Sequence, residues 1–151
     1  MSMFNAINTS ASALTAQRLR MDVVSSNIAN AQTTRATINE NGEYEPYRRK
    51  MVVMEPNGQN FKSFLHKATN SPSDQGSGVK VSEIVEDDEP FKVVYNPNHP
   101  DADEAGYVEM PNVDPLKEMV DLMSATRSYE ANITSMNASK NMLLKALEIG
   151  K

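Results

Sequence analysis

Glycine and proline are confined almost entirely to the middle of this chain. Residues 1–33 contain neither, and residues 34–112 hold five of the six Gly and seven of the eight Pro. Residues 113–151 hold only Pro115 near their start and Gly150 near their end. Helix interiors exclude both residue types, so the two ends read as long helices and the middle as turns and short strands. The expected class is α+β: long N- and C-terminal helices pair as a coiled-coil-like layer, with a small β-rich middle domain. The expected division is an N-terminal helix in 1–33, a β-rich middle domain in 34–112 with a flexible loop at 66–78, and a C-terminal helix in 113–151. The first and last segments together form one discontinuous helical domain.

Both ends carry a periodic seam. Phe4, Ile7, Ala11, Leu14, Arg18, Met21, Ser25 and Ile28 alternate at spacings of three and four, as do Met119, Leu122, Thr126, Tyr129, Ile133, Met136, Lys140, Leu143 and Leu147. This is the 3.5-residue repeat of a coiled coil, and it serves two amphipathic helices of a small bundle equally well. The polar exceptions fall in mid-seam, where such residues specify register or partner at a cost in stability. The apolar seam positions are the expected assembly residues.

The C-terminal helix has defined ends. Asp114 suits the N-cap, Pro115 the first helical position and Gly150 the residue past the stop. The N-terminal helix is expected over about Asn5 to Asn30. Some 35 residues make a rod of roughly 50 Å, too long for a small middle region to wrap. Only 39% of the chain is apolar and Trp is absent, so the core is modest and the helices must bury their stripes against each other or against other chains. Sequence leaves parallel and antiparallel pairing open. Ten Met residues suit a surface that adapts to slightly different neighbours, and equally suit ordinary core filling.

The middle carries short strand signals at 51–54, 79–81 and 91–95, each bounded by turn residues. The acidic run 86–89, followed by Pro90, reads as a solvated turn.

Chemistry-bearing patterns are sparse. Absence of Cys excludes disulfides, thiolate metal sites and Cys nucleophiles. A net charge of −5 argues against nucleic acid or an anionic membrane as a partner. No apolar run approaches the roughly 20 residues of a lipid-embedded segment, and the N-terminus lacks a secretory signature. Asp101, Asp103 and Gly106 match three positions of a calcium loop, but Ala105 and Asn112 fill two others, so a solvated turn is the better reading. Arg48-Arg49-Lys50, the one basic cluster, reads as a solvated strand edge or a protein contact. No nucleophile elbow or phosphate loop is present. No catalytic, cofactor-binding or metal-ligating residue is assigned, and no cofactor is expected. Two other classes stay open on these grounds: a soluble coiled-coil adaptor or chaperone of a secretion system and, remotely, a small metal-dependent enzyme built around His99.

Longer motifs point further. Asn27-Ile28-Ala29-Asn30, followed by Thr33-Thr34, closes the N-terminal helix, although Arg35 stands where a Gly is common. Gly106-Tyr107, Pro111-Asn112, Glu118-Met119, Arg127, Tyr129 and Asn132 recur in order before and within the C-terminal helix. With the segments 46–53, 78–82 and 90–101, this pattern covers most of the chain. It resembles the bacterial flagellar basal-body rod protein family, and within it the proximal rod proteins. The resemblance implies a non-enzymatic structural subunit of the basal-body rod, part of the drive shaft and export channel. It also implies export through the flagellar type III apparatus, helical assembly in the periplasm, and contacts with copies of itself and other rod proteins. In a free monomer, helices of this kind are expected to be largely disordered and to fold on assembly.

Overall fold

The computed structural model describes residues 3–39, 42–57 and 78–149. Two long helices frame the chain, α1 (Met3–Ala29) and α2 (Pro115–Ile149). Six short strands lie between them: β1 (Thr37–Ile38), β2 (Tyr44–Glu45), β3 (Lys50–Pro56), β4 (Val79–Glu86), β5 (Lys92–Tyr95) and β6 (Tyr107–Met110). They form three two-stranded sheets, β1-β2, β3-β4 and β5-β6. The α+β class is therefore as expected. The strands at 51–54, 79–81 and 91–95 are present with shifted limits, whereas β1, β2 and β6 are additional. The expected loop at 66–78 lies outside the described residues except for Gly78.

Two compact units divide the chain. Unit 1 comprises Met1–Arg20, Val52–Glu83 and Ser124–Lys151; unit 2 comprises Met21–Met51 and Ile84–Met123. The segments 1–33, 34–112 and 113–151 are thus each distributed over both units.

In unit 1 the start of β4 is tied to α1. The Ser12 hydroxyl donates to the Thr9 carbonyl at 2.8 Å and accepts the Val79 N–H at 3.1 Å. Gly78 makes this approach possible, since a Cβ there would collide with the Ser12 hydroxyl. Polar residues inside the helices bond back to carbonyls four residues earlier: Thr15 to Ala11, Asn132 to Ser128, Thr134 to Glu130 and Ser139 to Ser135. Ala16 and Ala125 are the fully buried apolar residues described in this unit.

Unit 2 holds more of the buried core: Val23, Val24, Tyr47, Val108, Pro111 and Val113. The β5-β6 ribbon is antiparallel, with Val93 opposite Glu109, Val94 opposite Val108 and Tyr95 opposite Tyr107. Alternation turns Val108 inward, while Tyr107 and Glu109 lie on the other face and are exposed. Asp103 caps the connecting turn, its carboxylate accepting the Ala105 and Tyr107 N–H groups at 2.9 and 2.8 Å. Asp101 takes Thr34 and Arg35, and its N–H donates to His99 Nδ1 at 3.2 Å. Both carboxylates of the calcium-like pattern thus have structural tasks.

Gly42 and Gly106 adopt left-handed backbone, with φ of 83° and 82°. Around Gly42 nothing lies within 4 Å of an added Cβ; at Gly106 it would meet Tyr95 Cε2 at 3.0 Å and Pro97 Cβ at 3.2 Å. Gly42→Ala is expected to cost about 1 kcal/mol through backbone strain alone, and Gly106→Ala about 2 kcal/mol through strain plus crowding. Denaturant midpoints for the two variants test the difference; equal losses would mean that Pro97 and Tyr95 yield freely.

Candidate functional site

The last turns of α1 and the first turns of α2 meet around a buried polar cluster in unit 2. α1 closes as Asn30 Nδ2 bonds the Ser26 carbonyl at 2.9 Å and the Thr33 N–H bonds the Asn30 carbonyl at 3.1 Å. Asp114 caps α2, accepting the Leu116 N–H at 3.0 Å, and Pro115 is the first helical residue. These two ends set Asn27 and Glu118 side by side.

Asn27 is fully buried and uses its whole hydrogen-bonding capacity. Its Nδ2 donates to the Lys50 carbonyl and to Glu118 Oε2, both at 2.9 Å. Its Oδ1 accepts the Lys50 N–H and the Tyr47 hydroxyl, both at 3.0 Å. Glu118, 0% exposed, receives Arg49 Nε on its other oxygen at 2.7 Å. Arg49 also reaches Asp87 at 3.1 Å and Asp121 at 3.7 Å. Asn112 completes the cluster: its Oδ1 accepts the Arg49 N–H at 2.7 Å, and its Nδ2 donates to the carbonyls of Asp87 and Glu89 at 3.2 and 3.0 Å.

Two sequence expectations are corrected here. Arg49 belongs to no solvated strand edge, since its side chain is 11% exposed and serves three carboxylates. Asp87 is no free member of a solvated acidic turn, because its carbonyl, N–H and carboxylate are all engaged. Buried charge survives only when paired and hydrogen-bonded, and each group here has its partners.

The electrostatics follow the contacts. The Glu89 N–H holds the Asp87 carboxyl below its ordinary range, with Arg49 adding to the effect against a burial cost. Burial works against the Arg49 guanidinium, but bonds to Glu118 and Asp87 outweigh it and raise its pKa. The hydrogen bonds from Arg35 and Thr34 lower the Asp101 carboxyl.

The motif residues divide in two. Asn27, Asn30, Thr33, Thr34, Gly106, Pro111 and Asn112 build unit 2: Thr33 accepts the Tyr47 N–H through its carbonyl, and Thr34 reaches Asp101 at 2.7 Å. Arg35, at the position where Gly is common, pairs with Asp101. Ile28, Tyr129 and Asn132 are half-buried, while Ala29, Tyr107 and Arg127 are exposed.

None of the apolar seam residues is fully buried in the single chain. Phe4, Met119 and Leu147 are exposed; Ile7, Leu14, Met21, Ile28, Leu122, Tyr129, Ile133, Met136 and Leu143 are half-buried. The buried helical positions are Ala16, Val23, Val24, Asn27, Glu118 and Ala125 instead. On the first three turns of α2, Leu116, Met119, Val120 and Met123 are all exposed, with neighbours on this face three or four residues apart. Among the described residues no helix is long and apolar enough to cross a membrane, and no three His, Asp or Glu side chains form a metal-holding group.

Removing one member of a buried ion pair leaves the other uncompensated, so Glu118→Ala is expected to cost about 3 kcal/mol of unit 2 stability in urea unfolding. Converting Glu118 to Leu and Arg49 to Met together should cost less than the sum of the single changes; additivity would show that the two groups are not coupled. Stability should also depend on acid. With Asp87 and Asp101 lowered, the native state binds fewer protons than the unfolded one, so their contribution is complete above about pH 5 and disappears as pH falls through about 4 and below. Asp101→Asn should flatten that fall; an unchanged slope would exclude Asp101 as a source.

A family model described as flagella basal body rod protein matches residues 7–37, and one described as flagellar basal body rod FlgEFG protein C-terminal matches residues 104–149. The flagellar basal-body rod protein FlgC of Bacillus subtilis is 62% identical over the whole of both chains. That of Borreliella burgdorferi is 42% identical over 99% of this chain and 98% of its own. The Salmonella typhimurium FlgC is 40% identical over the full length of both. With identity at this level from end to end, the chain belongs to the FlgC family of flagellar basal-body rod proteins.

Proposed function

We propose that this chain is a structural subunit of the flagellar basal-body rod, a building block without catalytic activity or cofactor, that assembles through its terminal helices with copies of itself and with other rod proteins. Export through the flagellar type III apparatus and helical assembly in the periplasm belong to the same reading. The observation that carries it is the inverted burial of α2, which hides Glu118 and Ala125 while Leu116, Met119, Val120, Met123, Met142, Leu144 and Leu147 stand exposed. An apolar helical surface of this extent marks a contact with other proteins.

Within the proposed assembly α1 and α2 pair antiparallel as a coiled-coil-like layer. Support comes from the Asn27–Glu118 bond, which joins the last turns of one helix to the first turns of the next. The seam residues of both helices then pack against those of neighbouring subunits, and a head-to-tail contact that does not close generates a helical tube. Met at positions 119, 123, 136 and 142 lets one surface accept copies and relatives alike.

The expectation of largely disordered terminal helices in the monomer applies to the turns outside the polar clamp. Residues 21–29 and 115–123 are held by it, whereas 5–20 and 124–149 have few buried side chains to order them. Leu143→Asp should abolish incorporation into isolated basal bodies and motility, while native-state hydrogen exchange of the variant monomer still shows protection at 21–29 and 115–123. In the unaltered monomer, 5–20 and 124–149 should exchange at least tenfold faster than those clamped turns. Normal rod incorporation of Leu143→Asp, or strong protection along both entire helices, would overturn the reading.

A further inference from the structure

Unit 2 carries a second uncovered surface, away from the helical seam. The β1-β2 hairpin, the β5-β6 ribbon and the turn between β5 and β6 enclose an open groove of about 480 Å³. Tyr44, Pro46, Val93 and Tyr107 provide apolar and aromatic lining, and Asp103 and Glu109 provide carboxylates. Tyr44, Val93 and Tyr107 are exposed, at 59%, 62% and 46%, so the chain itself leaves this lining open to solvent.

The groove's edge already holds one cation of the chain. Arg35 lies 5.2 Å from the Tyr44 ring centroid and pairs with the Asp101 carboxylate, combining cation–π and ionic contacts. Tyr107 with Glu109, both on β6, repeats those two components, aromatic ring and carboxylate, in the same lining. From this we propose that the groove docks an arginine- or lysine-bearing segment of a neighbouring protein other than this chain.

Charge complementarity decides between a copy and a different protein. Among the described residues between the helices, every cation is engaged internally. Arg35 pairs with Asp101, Arg49 with the buried carboxylates and Lys80 with Glu55. Arg48 stacks on Phe91, Lys50 lies over Tyr47 and Lys92 bonds the Val113 carbonyl. The described residues of that region in a copy therefore offer no unengaged cation, and a copy as a whole carries a net charge of −5, so it meets an acidic groove with like charge. This inference goes beyond the helical assembly and is tested on the monomer, where the seam does not enter.

The probe is the synthetic peptide acetyl-Gly-Arg-Val-Arg-Gly-amide, titrated into the full-length chain labelled with nitrogen-15. Expected are saturable amide shifts confined to Tyr44, Val93, Tyr107 and Glu109, with binding weakened about fivefold by Glu109→Gln. Glu83→Gln, an exposed change on β4 outside the groove, should leave binding unaltered. Because the Glu109 side chain is exposed and its backbone alone pairs in the β5-β6 ribbon, its variant tests binding with the fold intact, as its amide spectrum will show. Shifts of equal size along the acidic run 86–89, equal binding of the peptide with Glu in place of Arg, or unchanged affinity in Glu109→Gln would each overturn the proposal. So would groove shifts that grow with protein concentration alone, which would make a second copy the occupant.

Discussion

A carboxylate with no access to water sits at the join between the two ends of this chain. Glu118 is buried, and an unpaired charge in that position would cost far more than any apolar contact nearby could return. It is tolerable only because Asn27 and Arg49 arrive from elsewhere in the sequence with well-aligned donors. Arg49 in turn requires Asp87, and its backbone requires Asn112, which ties down the carbonyls of Asp87 and Glu89. The end of α1, the approach to β3, the end of β4 and the start of α2 are thus mutually conditional. Such a cluster specifies one arrangement through the cost of breaking it in part, rather than through the energy of each bond.

This constraint bears on how a rod subunit divides its tasks. A chain that polymerises through its helices must keep apolar side chains available outside, so those residues cannot also form its interior. Around the start of α2 the interior is built from a polar network whose bonds are directional and saturable. The outer face carries Leu116, Met119, Val120 and Met123, whose contacts are non-directional and suit a neighbour. A buried polar network beneath an exposed apolar face is a costly design for a solitary protein. In the proposed assembly it separates the contacts that define the fold from those left for neighbours.

The same separation explains which features were legible in the sequence. Both helices follow from the exclusion of Gly and Pro, a local steric effect that holds whatever the chain packs against, whereas α1 ends at Ala29, well before the first Gly, at the Asn27–Asn30 motif. The Asp114 cap and Pro115 start were readable for the same reason. The buried face is not legible, because periodicity marks the apolar stripe that seeks a partner and does not single out Ala16, Asn27, Glu118 and Ala125, which fill the interior. The basic cluster reads as a solvated strand edge or a protein contact because charge alone says nothing of the partners of Arg49, 38 and 69 positions distant. Strands β1 and β2, two residues each, are too short for any alternation to register. The motif Asn27-Ile28-Ala29-Asn30 did flag the site, though only the structure ties Asn27 to a buried carboxylate.

The position of the cluster relative to the seam has a further consequence. Leu122, a seam residue, lies one turn beyond Glu118, and Met21 lies fewer than two turns before Asn27. Any shift of the clamp by one residue would rotate each adjoining turn by about 100°, carrying the apolar stripe away from the face it now presents. The clamp is therefore positioned to set the azimuth of the exposed stripes as well as to hold unit 2 together. A helix whose rotation were left free would pay that ordering cost at each incorporation step, whereas one fixed at this end meets it during folding of the subunit.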